Sequence, residues 1–255
     1  MIIYHMLKNP KWTIASVNWD SLDFLEHQAK FFHTFDDNFE YIICDHTRPF
    51  QKEQLHELQK KYKNIRLHFP HDADKKYCEH GQGLNHCLKK ARGKYFLTID
   101  PDFFFIKKRI LNFIEEFFKK KYHAVGTMYY DLSFPPIWGA AYITKEIKDL
   151  DLRARTFFCQ FCNKGTHDYL VDTGYEIRTR LKNKLHIGFK STESKLPFFG
   201  SHLDGWNPNA FVYQNKIICY HLMRGSYNRK DPFATPEMIE ARRKYTEYFW
   251  NNLYD

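Results

Sequence analysis

The sequence predicts an α/β protein built as a single domain, with an open, mostly parallel sheet flanked by helices. Three observations carry that prediction. Strand-like apolar runs alternate with amphipathic helical stretches through the first hundred residues. The fourth run, KYFLTI (94–99), is continuously apolar, as a strand covered on both faces must be. Polar residues also gather just past the strand ends, at Asn18, at Asp45 with Thr47, and at Asp100 with Asp102. Open α/β sheets bind their ligands beyond the carboxyl ends of the strands.

WTIASVNW (12–19) and FEYIICDHT (39–47) are the first two strands. Between them, DSLDFLEHQAKFFHTF (20–35) sets Leu22, Leu25, Ala29 and Phe32 at helical spacing behind an N-cap at Asp20. A strand, a helix and a strand in that order imply a right-handed crossover between parallel strands. The unit then repeats. QKEQLHELQKKY (51–62) is an amphipathic helix, IRLHF (65–69) a strand, and GLNHCLKKAR (83–92) a helix that Gly93 is expected to close in the C′ position.

The second half is less regular. A helix over 107–121 precedes a strand over 123–129 and a loop containing SFPPIWG; AAYITKE (140–146) reads as a further strand. HDYLVDTGYEIRTRLKNK (167–184) has a helical pattern whose first turn carries Asp168 and Asp172, although Gly174 interrupts it. KIICYHLMRGSYNR (216–229) is a strand followed by a basic loop, and the last 20 residues form an amphipathic helix. No repeat, low-complexity tract or Gly/Ser linker divides the chain. Residues 1–255 are therefore read as one domain, with a regular half over 1–105 and a less regular half over 106–255.

With 255 residues, 43% of them hydrophobic, the chain can bury a sizeable core, which excludes global disorder. The formal charge of +9 suits an anionic partner, though the excess is scattered as on an ordinary solvated surface. No run reaches the roughly 18–20 apolar residues of a membrane span, and the first residues are too polar for a secretory signal. The chain reads as soluble and cytoplasmic, with a basic surface that offers peripheral contact to an acidic membrane. Its six cysteines do not form a disulfide framework in a chain this long, which fits a reducing compartment. Cys159-x-x-Cys162, with His167 nearby, lacks the second ligand pair of a structural zinc site and reads as buried thiols.

In FLTIDPDFFF (96–105), two carboxylates sit one residue apart in a greasy run. In a continuing strand they would face opposite ways, but Pro101 breaks the alternation and lets both approach one point. There they could cap a turn, do acid–base work, or hold a hard divalent ion such as Mg²⁺ or Mn²⁺, which takes oxygen ligands and binds substrate phosphates. Phe103–Phe105 read as core.

HGQGLNHCLKKARGKYFLTIDPDFFF (80–105) resembles the segment that delivers the D-x-D of GT-A fold, family-2-like glycosyltransferases, on Gly81, Asn85, Ala91, Gly93, Tyr95, Asp100 and Asp102. TIASVNW and YIICDHT are similar to that family's first two strands, and the likeness holds well over residues 12–105. It implies a GT-A-like (Rossmann-like) fold and a nucleoside-diphosphate sugar donor, UDP- or GDP-linked. Asp45 would contact the nucleobase, and the main chain near Ala15 and Asn18 would help hold the nucleoside. Asn85 would serve the donor side, Asp100 the ribose or a metal-bound water, and Asp102 the metal. His46 stands where the family carries a hydroxylated residue, which leaves base preference open.

The resemblance also implies a third metal ligand, for which His221 ends an apolar strand, and diphosphate contacts, for which Arg224, Arg229 and Lys230 follow it. His221 is otherwise an ordinary strand-end histidine. An inverting transferase needs a general base; Asp172 matches best by position, then Asp168 and Glu176, each otherwise an ordinary residue at a helix start. Trp138 and Trp206, in loops containing Pro and Gly, are candidates for stacking on a sugar ring. Two other functions fit parts of the sequence. A sugar-phosphate nucleotidyltransferase would share the α/β plan but need a Gly-rich phosphate loop, which is not found. A basic nucleic-acid-binding module would have its acidic strand ends facing the phosphate backbone.

Overall fold

The computed structural model describes residues 9–47, 49–70, 79–128, 134–153, 173–193, 209–222, 244, 247–252 and 254. Alternation and buried runs produce the elements largely where expected. The order is β1 (Trp12–Asn18), α1 (Leu22–Phe35), β2 (Phe39–Asp45), α2 (Lys52–Lys61), β3 (Ile65–His68), α3 (Glu79–Lys90), β4 (Tyr95–Ile99), β5 (Phe103–Phe105), α4 (Ile110–Lys119), β6 (Ala124–Met128) and β7 (Gly139–Ile143). There follow α5 (Thr144–Ile147), α6 (Tyr175–Leu181), β8 (His186–Glu193), β9 (Asn209–Tyr213) and β10 (Lys216–His221).

Among the described residues, ten strands join one mixed sheet in the order β3-β2-β1-β4-β7-β6-β8-β9-β10-β5. The first four are mutually parallel, as the repeated strand–helix alternation requires. Beyond β4 only β6 and β8 pair in parallel, and the other neighbours run antiparallel.

Period-2 alternation divides the core between the two faces of the sheet. Ile14, Tyr41, Ile43 and Leu97 face α1, α2 and α4, where Phe24, Phe32, Leu55 and Phe117 meet them. Ala15, Ile42, Cys44 and Phe96 face the opposite way, toward Leu84 and Leu88 of α3, Ile147 of α5 and Ile177 of α6. Among the described residues, no helix is long and apolar enough to cross a membrane.

Several local expectations are corrected. Ser21, not Asp20, occupies the N-cap of α1, because Asp20 adopts a left-handed conformation (φ 55°) in the preceding turn. Gly93 is not a left-handed helix terminator, since Gly174 is the one glycine with positive φ among the described residues. Gly93 is instead packed against β1: a Cβ there would lie 2.4 Å from the Thr13 amide nitrogen. Residues 144–147 turn into α5 where AAYITKE predicts continuing strand. β8 and β9 have no counterpart in the sequence reading, and Phe103–Phe105, expected as core, are both buried and a strand.

The topology has one unusual demand. β4 is fourth in the sheet and β5 is tenth, yet only Asp100, Pro101 and Asp102 separate them. A link this short spans at most roughly 14 Å. The sheet must therefore curl until its far end, β10 with β5, returns beside β4.

Candidate active site

The curl brings three side chains to one point. Asp100 and Asp102 occupy the turn between β4 and β5, and His221 ends β10, directly opposite Phe103 in the ladder. His221 Nε2 lies 3.3 Å from Asp102 Oδ1 and 3.9 Å from Asp100 Oδ2. One ligand atom from each residue falls within 4.8 Å of the others. Asp102 is 1% exposed and His221 6%, so this is a buried charge cluster and not a surface coincidence. Burial pulls the His221 imidazole down in pKa, but the Asp102 carboxylate, its hydrogen bond and Asp100 outweigh burial and hold it above its ordinary value. The cluster favours positive charge. Two carboxylates and one imidazole are a donor set that fits Mn²⁺ or Mg²⁺ and, through the imidazole, suits Mn²⁺ better.

Two residues that sequence reasoning missed hold the turn in place. Gln28, buried on α1, has its Nε2 within 2.7 Å of the Asp100 carbonyl, 2.9 Å of Pro101 O and 3.0 Å of Phe103 O. The Tyr41 hydroxyl donates to Gln28 Oε1 at 2.6 Å and fixes the amide in turn. A glutamine on the core-facing side of a helix was the only signal available. His80, in the first turn of α3, places Nε2 3.1 Å from Asp100 Oδ1. Ligand-orienting partners of this kind commonly fix the geometry of a metal site.

At the ends of β1 and β2, register pairs Asn18 with Asp45. Asn18 Nδ2 lies 2.9 Å from Asp45 Oδ1, 3.2 Å from Thr47 Oγ1 and 2.9 Å from Gln51 Oε1. Asp45 also accepts from the backbone N–H groups of Thr47 (3.0 Å) and Gln51 (2.8 Å), the latter preceding α2. Asn18 and Asp45 are fully buried, and Ala15 lies inside β1, paired on both sides. His46 is buried as well.

Asn85 is occupied elsewhere. Its Nδ2 donates to Asp151 Oδ1 at 2.6 Å and its Oδ1 accepts from Leu152 N at 2.7 Å. Arg153, hydrogen-bonded to Asp151, together with Asn85 holds that carboxyl well below the usual carboxylate range. Glu176 accepts from the Asp151 amide at 2.9 Å, which ties α6 to the same segment. Gly174, left-handed at φ 81° and donating to Leu152 O, completes the tie just after residue 173. Asp172, Asp168, Arg224, Arg229, Lys230, Trp206, Cys159, Cys162 and His167 lie outside the described residues.

The comparisons with known proteins bear on the family. The model of the family described as Glycosyl transferase family 2 matches residues 20–173, more than half of the chain. A search of curated proteins by sequence returns no match. Among solved structures, S. aureus TarS 1–349 aligns at 15% identity with a TM-score of 0.47, covering 70% of this chain and 58% of that one. The galactosyltransferase LgtC, in complex with donor and acceptor sugar analogs, aligns at 10% identity and a TM-score of 0.40, covering 55% and 60%. A mycobacterial protein aligns at 12% and 0.47, covering 71% and 66%. This chain thus spans less than two thirds of each of them.

Proposed function

The chain belongs to glycosyl transferase family 2, and from that premise we propose that it transfers a hexose from a nucleoside-diphosphate sugar to an acceptor hydroxyl. One observation carries the proposal: Asp100, Asp102 and His221 converge within 4.8 Å at the carboxyl end of β4. These three residues would hold a divalent cation. Bound there, the cation supplies charge neutralisation for the departing diphosphate.

The protein's own residues do the rest. Asp102 and His221, nearly closed off from water, present their ligand atoms in a low-dielectric setting where electrostatic contacts are strong. Gln28 fixes the backbone of the turn, and His80 orients Asp100. The nucleoside would lie along the edge formed by Ala15, Asn18 and Asp45, with Asn85 bracing the adjacent segment. Arg224 and Lys230 would reach the diphosphate from the stretch after β10. Asp172, two residues before the anchored Gly174, would accept the acceptor's hydroxyl proton in an inverting transfer. Residues 106–255 would form the acceptor side.

Calorimetry with UDP and with GDP, each with and without Mn²⁺, tests the donor assignment. One of them should bind only when the cation is present, and binding of neither would end the proposal. Asp102→Asn should lower transfer by about 100-fold or more, since a cation contributes several kcal/mol to such a step. Asp172→Asn should abolish transfer but spare nucleotide binding, and retained turnover would remove Asp172 from the role of base. Release of pyrophosphate in place of nucleoside diphosphate would indicate nucleotidyl transfer.

A further inference from the structure

The cation cluster has an aromatic neighbour whose position is set by the same turn. Trp138, just before β7, accepts the Asp100 N–H on its carbonyl oxygen at 3.0 Å. Its indole lies 5.6 Å from the His221 ring, centroid to centroid, at an interplanar angle of 30°. The side chain is partly exposed although its neighbours Ile137 and Gly139 are buried.

The backbone around it has little freedom. Thr98 on β4 donates its hydroxyl to Ile137 O and lies 3.0 Å from Ala140 O. Gly139 fits so closely that a Cβ there would stand 2.6 Å from the Phe103 ring. Trp138 is therefore carried on the same rigid frame as Asp100, Phe103 and His221. A large aromatic kept partly in solvent beside a charged cluster is not explained by core packing.

Resting on the function proposed above, we infer that Trp138 forms the platform on which the transferred hexopyranose lies. In a nucleotide sugar, the hexose is bonded directly to the phosphate that the cation would hold, whereas the nucleobase is a ribose and a further phosphate away. The group within reach of an indole about 5–6 Å from His221 is thus the hexose. A pyranose offers an apolar C–H face, and Trp supplies a broad, rigid surface for it at small entropic cost. The base is left to the Asn18–Asp45 pair, at the ends of β1 and β2.

The test compares two ligands on two variants. Binding of the preferred nucleoside diphosphate and of its glucose and N-acetylglucosamine conjugates is measured by calorimetry in Mn²⁺ for wild type, Trp138→Ala and Trp138→Phe. The expected result for Trp138→Ala is roughly tenfold weaker binding of the preferred nucleotide sugar. The nucleoside diphosphate should bind as in wild type, and Trp138→Phe should restore most of the loss. Equal losses for both ligands would mean that Trp138 only supports Asp100 and His221, and the inference fails. Unchanged binding of both, with a raised KM for acceptor alone, would move Trp138 to the acceptor side and also overturn it. If Trp138→Ala does not fold, the Phe variant decides, since a platform role still requires it to separate the two ligands by a smaller factor. Failure of wild type to bind any nucleoside diphosphate would instead overturn the proposed function, and this inference with it.

Discussion

Gln28 shows how a single amide can decide the geometry of a distant turn. Its side chain serves three carbonyls of the aspartate-bearing turn and accepts from Tyr41. Gln28→Ala would leave those buried groups without partners and should cost about 1–3 kcal/mol of stability. Cation affinity should fall with it, and titration of Mn²⁺ alongside chemical denaturation would read both. His80→Ala removes a partner of Asp100, so Mn²⁺ affinity should drop about 10–100-fold. The members of the converging cluster were legible: two aspartates around a proline after a buried strand, and a histidine at the end of another. Gln28 and His80 were not, because their roles depend on α1 and α3 packing over a turn that lies many residues away in sequence. Asn85 has a pattern role and a structural one. Its place in a familiar pattern pointed to the donor, while the fold engages its amide with Asp151 and Leu152.

At the scale of elements, the junction between α1 and α4 contains a charge held against its preference. Asp36 ends α1 and accepts the Leu111 N–H at 3.0 Å, but its Oδ2 is shut off from water without a hydrogen-bond partner among the described residues. Burial pushes its pKa up to about 7. Folding therefore retains a proton that the unfolded chain releases near pH 4, and the stability this contributes is lost as pH rises from about 4 through 7. Asp36→Asn, which keeps the acceptor for Leu111, should flatten that decline, as urea midpoints at pH 5 and pH 8 would show. Gly93→Ala should destabilise by roughly 1–3 kcal/mol through overpacking against the β1 backbone, measurable as a lowered Tm. The elements of the first hundred residues were legible because β1, β2 and β4 are buried runs and each helix shows one apolar stripe. β8 and β9 were not: HIGFKSTE and NAFVY carry few apolar residues or are very short, and become strands only by pairing with β6, with β10 and with each other.

For the whole molecule, the curl of the sheet joins the Asp100–Asp102–His221 cluster to global stability. A nucleoside diphosphate and Mn²⁺ bound only by the folded state should add about 2.7 kcal/mol at 100 times the dissociation constant. That corresponds to a rise in Tm of roughly 5–10 °C for a chain of this size, and a chelator should remove it. The parallel half of the sheet followed from the sequence, but the curl did not, since it depends on a pairing between residues more than a hundred positions apart. Among the described residues, β10 is the one strand that pairs with β5. During synthesis, therefore, the ribosome delivers both aspartates on the order of ten seconds before His221. Until then Phe103–Phe105 have no ladder to join among the described residues, and the nascent chain holds only part of the cluster. Completion of the Asp100–Asp102–His221 cluster is thus a late event in the life of this polypeptide, set by the timing of translation.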